Sequence, residues 1–183
     1  SLNLQAGVHR EPAHLGGLSS LVCEMIQRGA GQYSSRDLVA AQDNLGIDRN
    51  SGVSTAFVSF GASMPSDSLP AAISLYADIV RNPHLPHDQL EDARMMAIQE
   101  LRAMEDEPTH RVMRRLRELH YGEVLGRSNF GTETGIQQIT QDDIRSFYQT
   151  NYHSSGGILS IAGNVDPTEV ALTPPPPSWQ LYV

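Results

Sequence analysis

The sequence predicts an α+β fold in which a mostly antiparallel sheet packs against several helices. Segments with helical apolar periodicity lie between short segments rich in β-branched residues. The two kinds of segment do not alternate as they would in a regular βαβ series, which argues against a parallel sheet. A length of 183 residues with 39% hydrophobic content is sufficient for one core. We therefore expect a single domain over residues 1–167, followed by a proline-rich extended tail over residues 168–183.

The amino-terminal part predicts one strand and two helices. Residues 1–9 alternate apolar and polar side chains, as in a strand whose opening part is missing. Two glycines then precede an apolar run over residues 18–26, which indicates a buried helix that ends at the next glycines. Ser34 or Ser35 can cap a further helix that carries Leu38 inward, because a serine hydroxyl accepts a hydrogen bond from a free N–H at a helix start.

The central part predicts the best strand of the chain and a helix behind it. Residues 53–64 are rich in β-branched, aromatic and small side chains, which are typical of a strand. A helix that starts near Ser66 must end by Asn82, because the residue before a proline avoids the helical region and Pro83 follows.

The second half predicts three more helices and a closing strand. Asp88 and Glu91 are expected to form a capping box for a long helix, which ends before Pro108. Thr140 and Asp143 are expected to cap a shorter helix in the same way. The remaining signals are an apolar helical stripe of Val112, Leu116 and Leu119, a glycine-bearing loop over residues 122–135 and a buried strand over residues 158–162.

The charge balance argues against nucleic acid or an anionic membrane surface as a main partner. The chain has 13 basic and 21 acidic residues, which gives a net charge of −8. The nearest approach to a basic patch is a group of arginines between residues 111 and 117, which follows three acidic residues. We expect this group to form a solvated helix face with local ion pairs.

The cysteine content and the hydropathy pattern indicate where in the cell the protein is expected. Cys23 is the only cysteine, so no intramolecular disulfide forms, which fits a reducing compartment. This slightly favours the cytoplasm over the periplasm. No apolar run approaches 18 residues, so we expect a soluble chain without a membrane span.

Several short motifs occur in a fixed order along the chain. In sequence order they are GVHREP at 7–12, GLSSLVCEM at 17–25, RNP at 81–83, LGR at 125–127, FGTE at 130–133 and IAGNVD at 161–166. Together they resemble the insulinase/pitrilysin family, the zinc peptidases with an inverted HxxEH motif. The resemblance covers residues 5–167 and implies a metallohydrolase domain like those of insulinase and mitochondrial processing peptidase.

The resemblance carries the family's active site onto side chains of the wrong chemistry. The first histidine of the motif falls on Ser20, the catalytic glutamate on Cys23 and the second histidine on Glu24. Only the distant glutamate ligand is retained, at Glu100. Catalytic zinc needs imidazole or similar donors and a carboxylate that takes a proton from the bound water. We therefore expect no catalytic residue, no metal site and no bound family zinc.

The same residues allow two alternative hypotheses, an altered metal site and a cysteine nucleophile. Cys23, Glu24 and Glu100 could form an altered metal site, because a thiolate and two carboxylates can bind zinc. Against this, Cys23 occupies the position of the base and points away from the ligand face. Cys23 could instead be a nucleophile, but a reactive thiolate needs a basic environment, and Arg28 is the nearest basic residue while Glu24 opposes ionisation.

The resemblance implies a non-catalytic half that pairs with a catalytic insulinase-type domain or subunit, as in a heterodimer. The two halves would enclose a chamber in which an unfolded peptide lies along a sheet edge. On this interpretation Phe57, Val58, Ser59 and Phe60 of the predicted strand bind the substrate. The alternative is a purely structural or assembly domain on the same fold. A homodimer is a further pairing that the sequence leaves open.

Overall fold

The computed structural model describes residues 1–153, 155–166 and 180–182. Five strands lie within these residues: β1 Leu2–Leu4, β2 Asp48–Val53, β3 Val58–Ser63, β4 Ile158–Ser160 and β5 Gln180–Tyr182. They form one sheet in the order β2-β3-β1-β4-β5. All neighbouring strands are antiparallel except β4 and β5, which are parallel.

Seven α-helices accompany the sheet in the described residues. They are α1 Leu18–Met25, α2 Ser35–Asn44, α3 Leu69–Arg81, α4 Leu90–Asp106, α5 Pro108–Leu125, α6 Glu133–Gln138 and α7 Gln141–Asn151. The predicted α+β class with a mostly antiparallel sheet is therefore confirmed. None of these helices combines the length and the apolar character that a bilayer crossing requires.

The core lies between one face of the sheet and the buried helix α1. Six of the eight residues of α1 are buried, including Leu21 and Met25. Leu4 and Phe60 extend from the sheet into the same core, and Ile144 reaches it from α7. Helix α1 contacts α4, α7 and β2, so it is covered on several sides. Its apolar composition follows from this position.

The prediction of one continuous strand over residues 53–64 is wrong. The chain reverses direction at residues 54–57, and β3 after the turn pairs with β2 before it as a hairpin. Within the turn the Ser54 N–H donates to the Phe57 carbonyl at 2.8 Å, and the Phe57 N–H donates to the Ser54 hydroxyl at 3.1 Å. A serine side chain that bonds nearby backbone in this way competes with a strand ladder.

A distant segment holds this turn. The backbone N–H groups of Gly7, Val8 and His9 donate to the carbonyls of residues 54–56 at 3.1–3.2 Å. The approach is so close that a Cβ on Gly7 would lie 2.4 Å from the Ala56 carbonyl carbon. Position 7 therefore requires glycine for reasons of space.

Two of the three predicted helix caps are confirmed, and one is wrong. The Ser34 hydroxyl accepts from the Asp37 N–H at 3.2 Å, and Thr140 with Asp143 forms the expected capping box. The predicted capping box of Asp88 and Glu91 is wrong. The chain forms a 3-10 turn over His87–Gln89 instead, and no side chain caps α4.

Helix α5 differs from the others because it has no buried side chain. Its predicted apolar stripe is solvent-exposed, with Val112 at 67%, Leu116 at 55% and Leu119 at 70% exposure. The helix is interrupted at Gly122, whose φ is 75°. It continues to Leu125, so the predicted loop over residues 122–135 is limited to the segment between α5 and α6.

The last two sequence predictions concern the carboxyl-terminal part. Strand β4 is half-buried, not buried, and spans three residues. The proline tract at residues 174–177 and the domain boundary at residue 167 lie outside the described residues. Within the predicted tail, Gln180–Tyr182 forms strand β5 beside β4.

Candidate functional site

The start of helix α1 is held by a buried carboxylate that sequence reasoning missed. Glu11 is only 5% exposed, and its carboxylate accepts from the Gly17 N–H at 3.1 Å and the Ser19 N–H at 2.7 Å. These are N–H groups that a helix start leaves without intrahelical partners. Arg127 donates to the Glu11 carbonyl at 2.6 Å and fixes the same segment.

Burial raises the pKa of the Glu11 carboxyl above its ordinary value. The hydrogen bonds from Ser19 and Gly17 and the charge of Arg127 act in the opposite direction. Burial is the larger cause. The only signal in the sequence is an acidic residue ahead of a helix, but Glu11 lies six residues before Gly17. A search of the positions next to the helix start therefore does not find it.

The first of the altered motif positions is occupied by a serine whose hydroxyl is engaged. Ser20 is half-buried, and its Oγ donates to the Asn129 carbonyl at 2.6 Å. Asn129 belongs to the loop between α5 and α6. Ser20 therefore connects α1 to this loop, and its hydroxyl proton is already used.

The second position, Cys23, lies in the core with 4% of its surface exposed. Burial raises the pKa of its thiol to about 12; the Ser51 hydroxyl opposes the change and the charge of Glu24 adds to it. The thiolate is the nucleophilic and metal-binding form of cysteine. At neutral pH this side chain is a thiol, and it packs as a small apolar group.

The third position, Glu24, forms an ion pair with the next turn of its own helix. Both Nε and Nη2 of Arg28 lie 3.0 Å from Glu24 Oε1. Arg28 is further held by the Gln89 carbonyl at 3.4 Å. A cation at Glu24 would have to compete with this guanidinium.

Glu100, the fourth position, is exposed on α4. In the described part of the chain, no three His, Cys, Asp or Glu side chains are arranged so that they could hold a metal ion. A bonded hydroxyl, a protonated thiol and a paired carboxylate do not match the imidazole donors and the free base of a catalytic zinc site. The residues present do not fit the group that the resemblance implies.

The four residues that we expected to bind substrate differ in their exposure to solvent. Val58 and Phe60 are buried in the core, whereas Phe57 and Ser59 are half-buried. Strand β3 is hydrogen-bonded to β1 on one side and β2 on the other. Residues 58–60 are paired on both sides, so the expected strand addition has no free edge at these residues.

The free edge beside the motif helix belongs to β2. Its first five residues are exposed, and no strand of the described residues pairs with its outer side. Gln27 links it to α1, because its Nε2 donates to the Ser51 hydroxyl at 3.1 Å and to the Cys23 carbonyl at 2.8 Å. The edge and the altered motif are thus neighbours.

The hairpin register shows which backbone groups of β2 face outward. The Ser54 N–H points toward β3, and alternate residues of an antiparallel strand point the same way. By this alternation the N–H and C=O groups of Arg49, Ser51 and Val53 face the open side. An extended chain could add to the sheet there.

Comparison with known proteins gives one family. A sequence profile described as insulinase, peptidase family M16, matches residues 1–133. The beta subunit of the mitochondrial-processing peptidase of Lentinula edodes is 27% identical over 164 residues. That alignment covers 89% of this chain and 35% of the relative. This chain therefore spans little more than a third of the length of the relative.

Solved structures agree at the level of the fold. A peptidase M16 inactive domain from Pseudomonas fluorescens has a TM-score of 0.82 at 18% identity, over 93% of this chain and 42% of that one. A protease from Helicobacter pylori has a TM-score of 0.85 at 16% identity, over 92% and 41%. At these identities the likeness establishes the fold alone.

Proposed function

Because this chain belongs to the insulinase family of peptidases, M16, we propose that it acts as a non-catalytic domain of that family. In this role it holds an unfolded peptide along the edge of β2, and a partner domain supplies the zinc and the general base. The chain itself binds no catalytic metal.

The observation that carries the proposal is the state of the altered motif. Ser20 is bonded to a loop carbonyl, Cys23 is a buried thiol and Glu24 is paired with Arg28. Neither Ser20 nor Cys23 is free to take a proton from water, and the carboxylate of Glu24 is paired with Arg28, whereas general-base catalysis requires a free base at the motif. Their contacts instead stabilise α1 beside the free edge. Helix α1 therefore has a structural role, which is to pack in the core of the fold.

Two observations support a partner domain. The curated and structural relatives are more than twice as long as the region matched here. In addition, α5 exposes the apolar stripe of Val112, Leu116 and Leu119, and contiguous exposed apolar surface of this kind is typical of an interface. We assign this stripe to contact with the catalytic partner.

Metal content and unaided hydrolysis test the inactive part of the proposal. We expect the purified chain to contain far less than one zinc per molecule and to leave an unfolded peptide uncut, because the site lacks both donors and base. Plasma emission spectrometry and mass spectrometry of the peptide measure these two quantities. Stoichiometric zinc that is lost in Glu100→Ala, together with cleavage by the pure chain, would favour the altered metal site instead.

Substitution of Ser51 tests strand addition at β2. Ser51→Pro removes an outward N–H, and proline is tolerated where a strand N–H faces solvent. We expect it to weaken binding of a labelled, unstructured 20-residue peptide about three- to tenfold, the value of one hydrogen bond or slightly more. Fluorescence anisotropy measures the affinity.

Ser51→Ala is the matched control for this experiment. It loses the hydroxyl that Gln27 bonds but keeps the backbone N–H. We expect its affinity to stay within twofold of wild type. Equal affinities for all three proteins, with unchanged circular dichroism, would contradict strand addition at β2, and no binding by any of them would favour the purely structural role.

A further inference from the structure

A cavity of about 320 Å³ lies between α4, α5 and the loop that connects α5 to α6. Its lining includes four apolar side chains, which we call the apolar wall: Leu101, Met104, Met113 and Phe130. The same lining carries four arginines, one histidine and one carboxylate: Arg111, Arg114, Arg117, Arg127, His110 and Glu105. The volume is near the lower limit for small-ligand sites, so it suits one or two side chains.

The arginines of this cavity are poorly neutralised. In the described part of the chain, Arg111 and Arg117 have no side-chain hydrogen bond or ion pair. Arg114 has a loose pair with Glu105 at 3.7 Å, and Arg127 is held by backbone carbonyls. The expected solvated face is correct, because α5 has no buried residue. Local pairs form at Arg114 and at Arg115, which pairs with Glu118 at 3.1 Å, whereas Arg111 and Arg117 remain without one in the described residues.

The cavity adjoins the altered motif. Asn129, which lines it, accepts the hydrogen bond from Ser20 of α1. Arg127 links it to Glu11, the residue that caps α1. A peptide that passes α1 can therefore place a side chain or its terminus in this cavity.

We infer that this cavity binds a peptide carboxylate that is attached to, or adjacent to, an apolar side chain. The guanidinium groups of Arg111 and Arg117 receive the carboxylate, because arginine binds carboxylates through charge-assisted hydrogen bonds. The apolar wall receives the neighbouring aliphatic or aromatic group. The inference rests on the proposed function, since it names the class of peptide that the domain prefers.

The surroundings favour a peptide over a longer polyanion. The chain carries a net charge of −8, and acidic residues 105–107 lie next to the cavity. A nucleic acid would be repelled by this surface, and its phosphates would gain nothing from the apolar wall. A single carboxylate within a peptide meets the arginines without that cost.

Three labelled peptides of one length and one base sequence test the inference. The first contains Glu-Phe and an amidated end, the second Gln-Phe and a free carboxyl end, and the third Gln-Phe and an amidated end. We expect the first or the second to bind at least fivefold more tightly than the third in fluorescence anisotropy, and the preference to fall at high salt. The tighter of the two identifies the side-chain or the terminal carboxylate as the ligand.

The double variant Arg111→Gln with Arg117→Gln should abolish the preference and leave binding of the third peptide unchanged. Arg115→Gln is the matched control, because Arg115 is on the same helix outside the cavity, and it should keep the preference. Equal affinities of wild type for all three peptides would overturn the inference and leave the proposed function intact. Failure of every peptide to bind would overturn both.

Discussion

Glu11→Ala should lower the free energy of unfolding by about 2–4 kcal/mol. The substitution leaves the N–H groups of Gly17 and Ser19 buried without an acceptor, at about 1–3 kcal/mol each. Release of the buried carboxylate offsets part of this cost. Urea denaturation followed by circular dichroism measures the change.

Glu100→Ala is the control for the Glu11 experiment, because it removes an exposed carboxylate from a helix interior. We expect its free energy of unfolding to stay within about 0.5 kcal/mol of wild type. If the two variants are equally stable, the carboxylate of Glu11 does not hold the start of α1, and that account is wrong.

The pH dependence of the same residue follows from its raised pKa. Folded Glu11 keeps its proton to higher pH than the unfolded chain does. Relative to Glu11→Gln, the wild type is therefore most stable below the ordinary pKa of glutamate. This stability advantage should decline as the pH rises through the raised pKa of folded Glu11. Denaturation midpoints of the two proteins at several pH values measure the decline.

Phe60→Ala should cost about 3–5 kcal/mol of unfolding free energy, the largest single effect that we expect. The ring is among the largest fully buried side chains, and its removal loses apolar burial and leaves a cavity. Ser59→Ala, one residue away on the other face of β3, should cost less than about 1 kcal/mol. Thermal and urea denaturation compare the two.

Phe60→Leu separates a core role from substrate binding at the same position. Leucine retains much of the apolar volume, so the fold should persist with a loss of about 1 kcal/mol. We expect the affinity for the labelled peptide to be unchanged. Weaker peptide binding by this stable variant would restore Phe60 as a substrate residue.

Local signals predicted much of this fold. The helices α1, α2, α3 and α7 were found because their caps, their bounding glycines or prolines and their apolar periodicity lie within a few residues of each other. The motif positions at Ser20, Cys23 and Glu24 were placed by resemblance. Their neighbours could not be placed in this way, because Asn129 and Ser51 come from distant parts of the chain.

Apart from the capping box of Asp88 and Glu91, where a local 3-10 turn forms instead, the main failures share one physical cause: the deciding contact is distant in sequence. The hairpin turn at residues 54–57 is held by residues 7–9, and Glu11 caps a helix across an intervening turn. Periodicity predicted helix α5 correctly but could not tell that its apolar stripe would be uncovered. The arginine cavity needs three elements together, so no single segment indicates it.

The open side of β2 bears on how the protein avoids aggregation. An exposed edge strand can pair with the same strand of another molecule and so lead to aggregation. Natural sheets limit this risk with short edge strands and charged residues. Strand β2 has six residues, begins with Asp48 and Arg49, and carries a large apolar side chain only at Val53. Such an edge offers main-chain hydrogen bonds but little apolar surface. A docked chain would therefore dissociate readily, and fibril formation would be disfavoured.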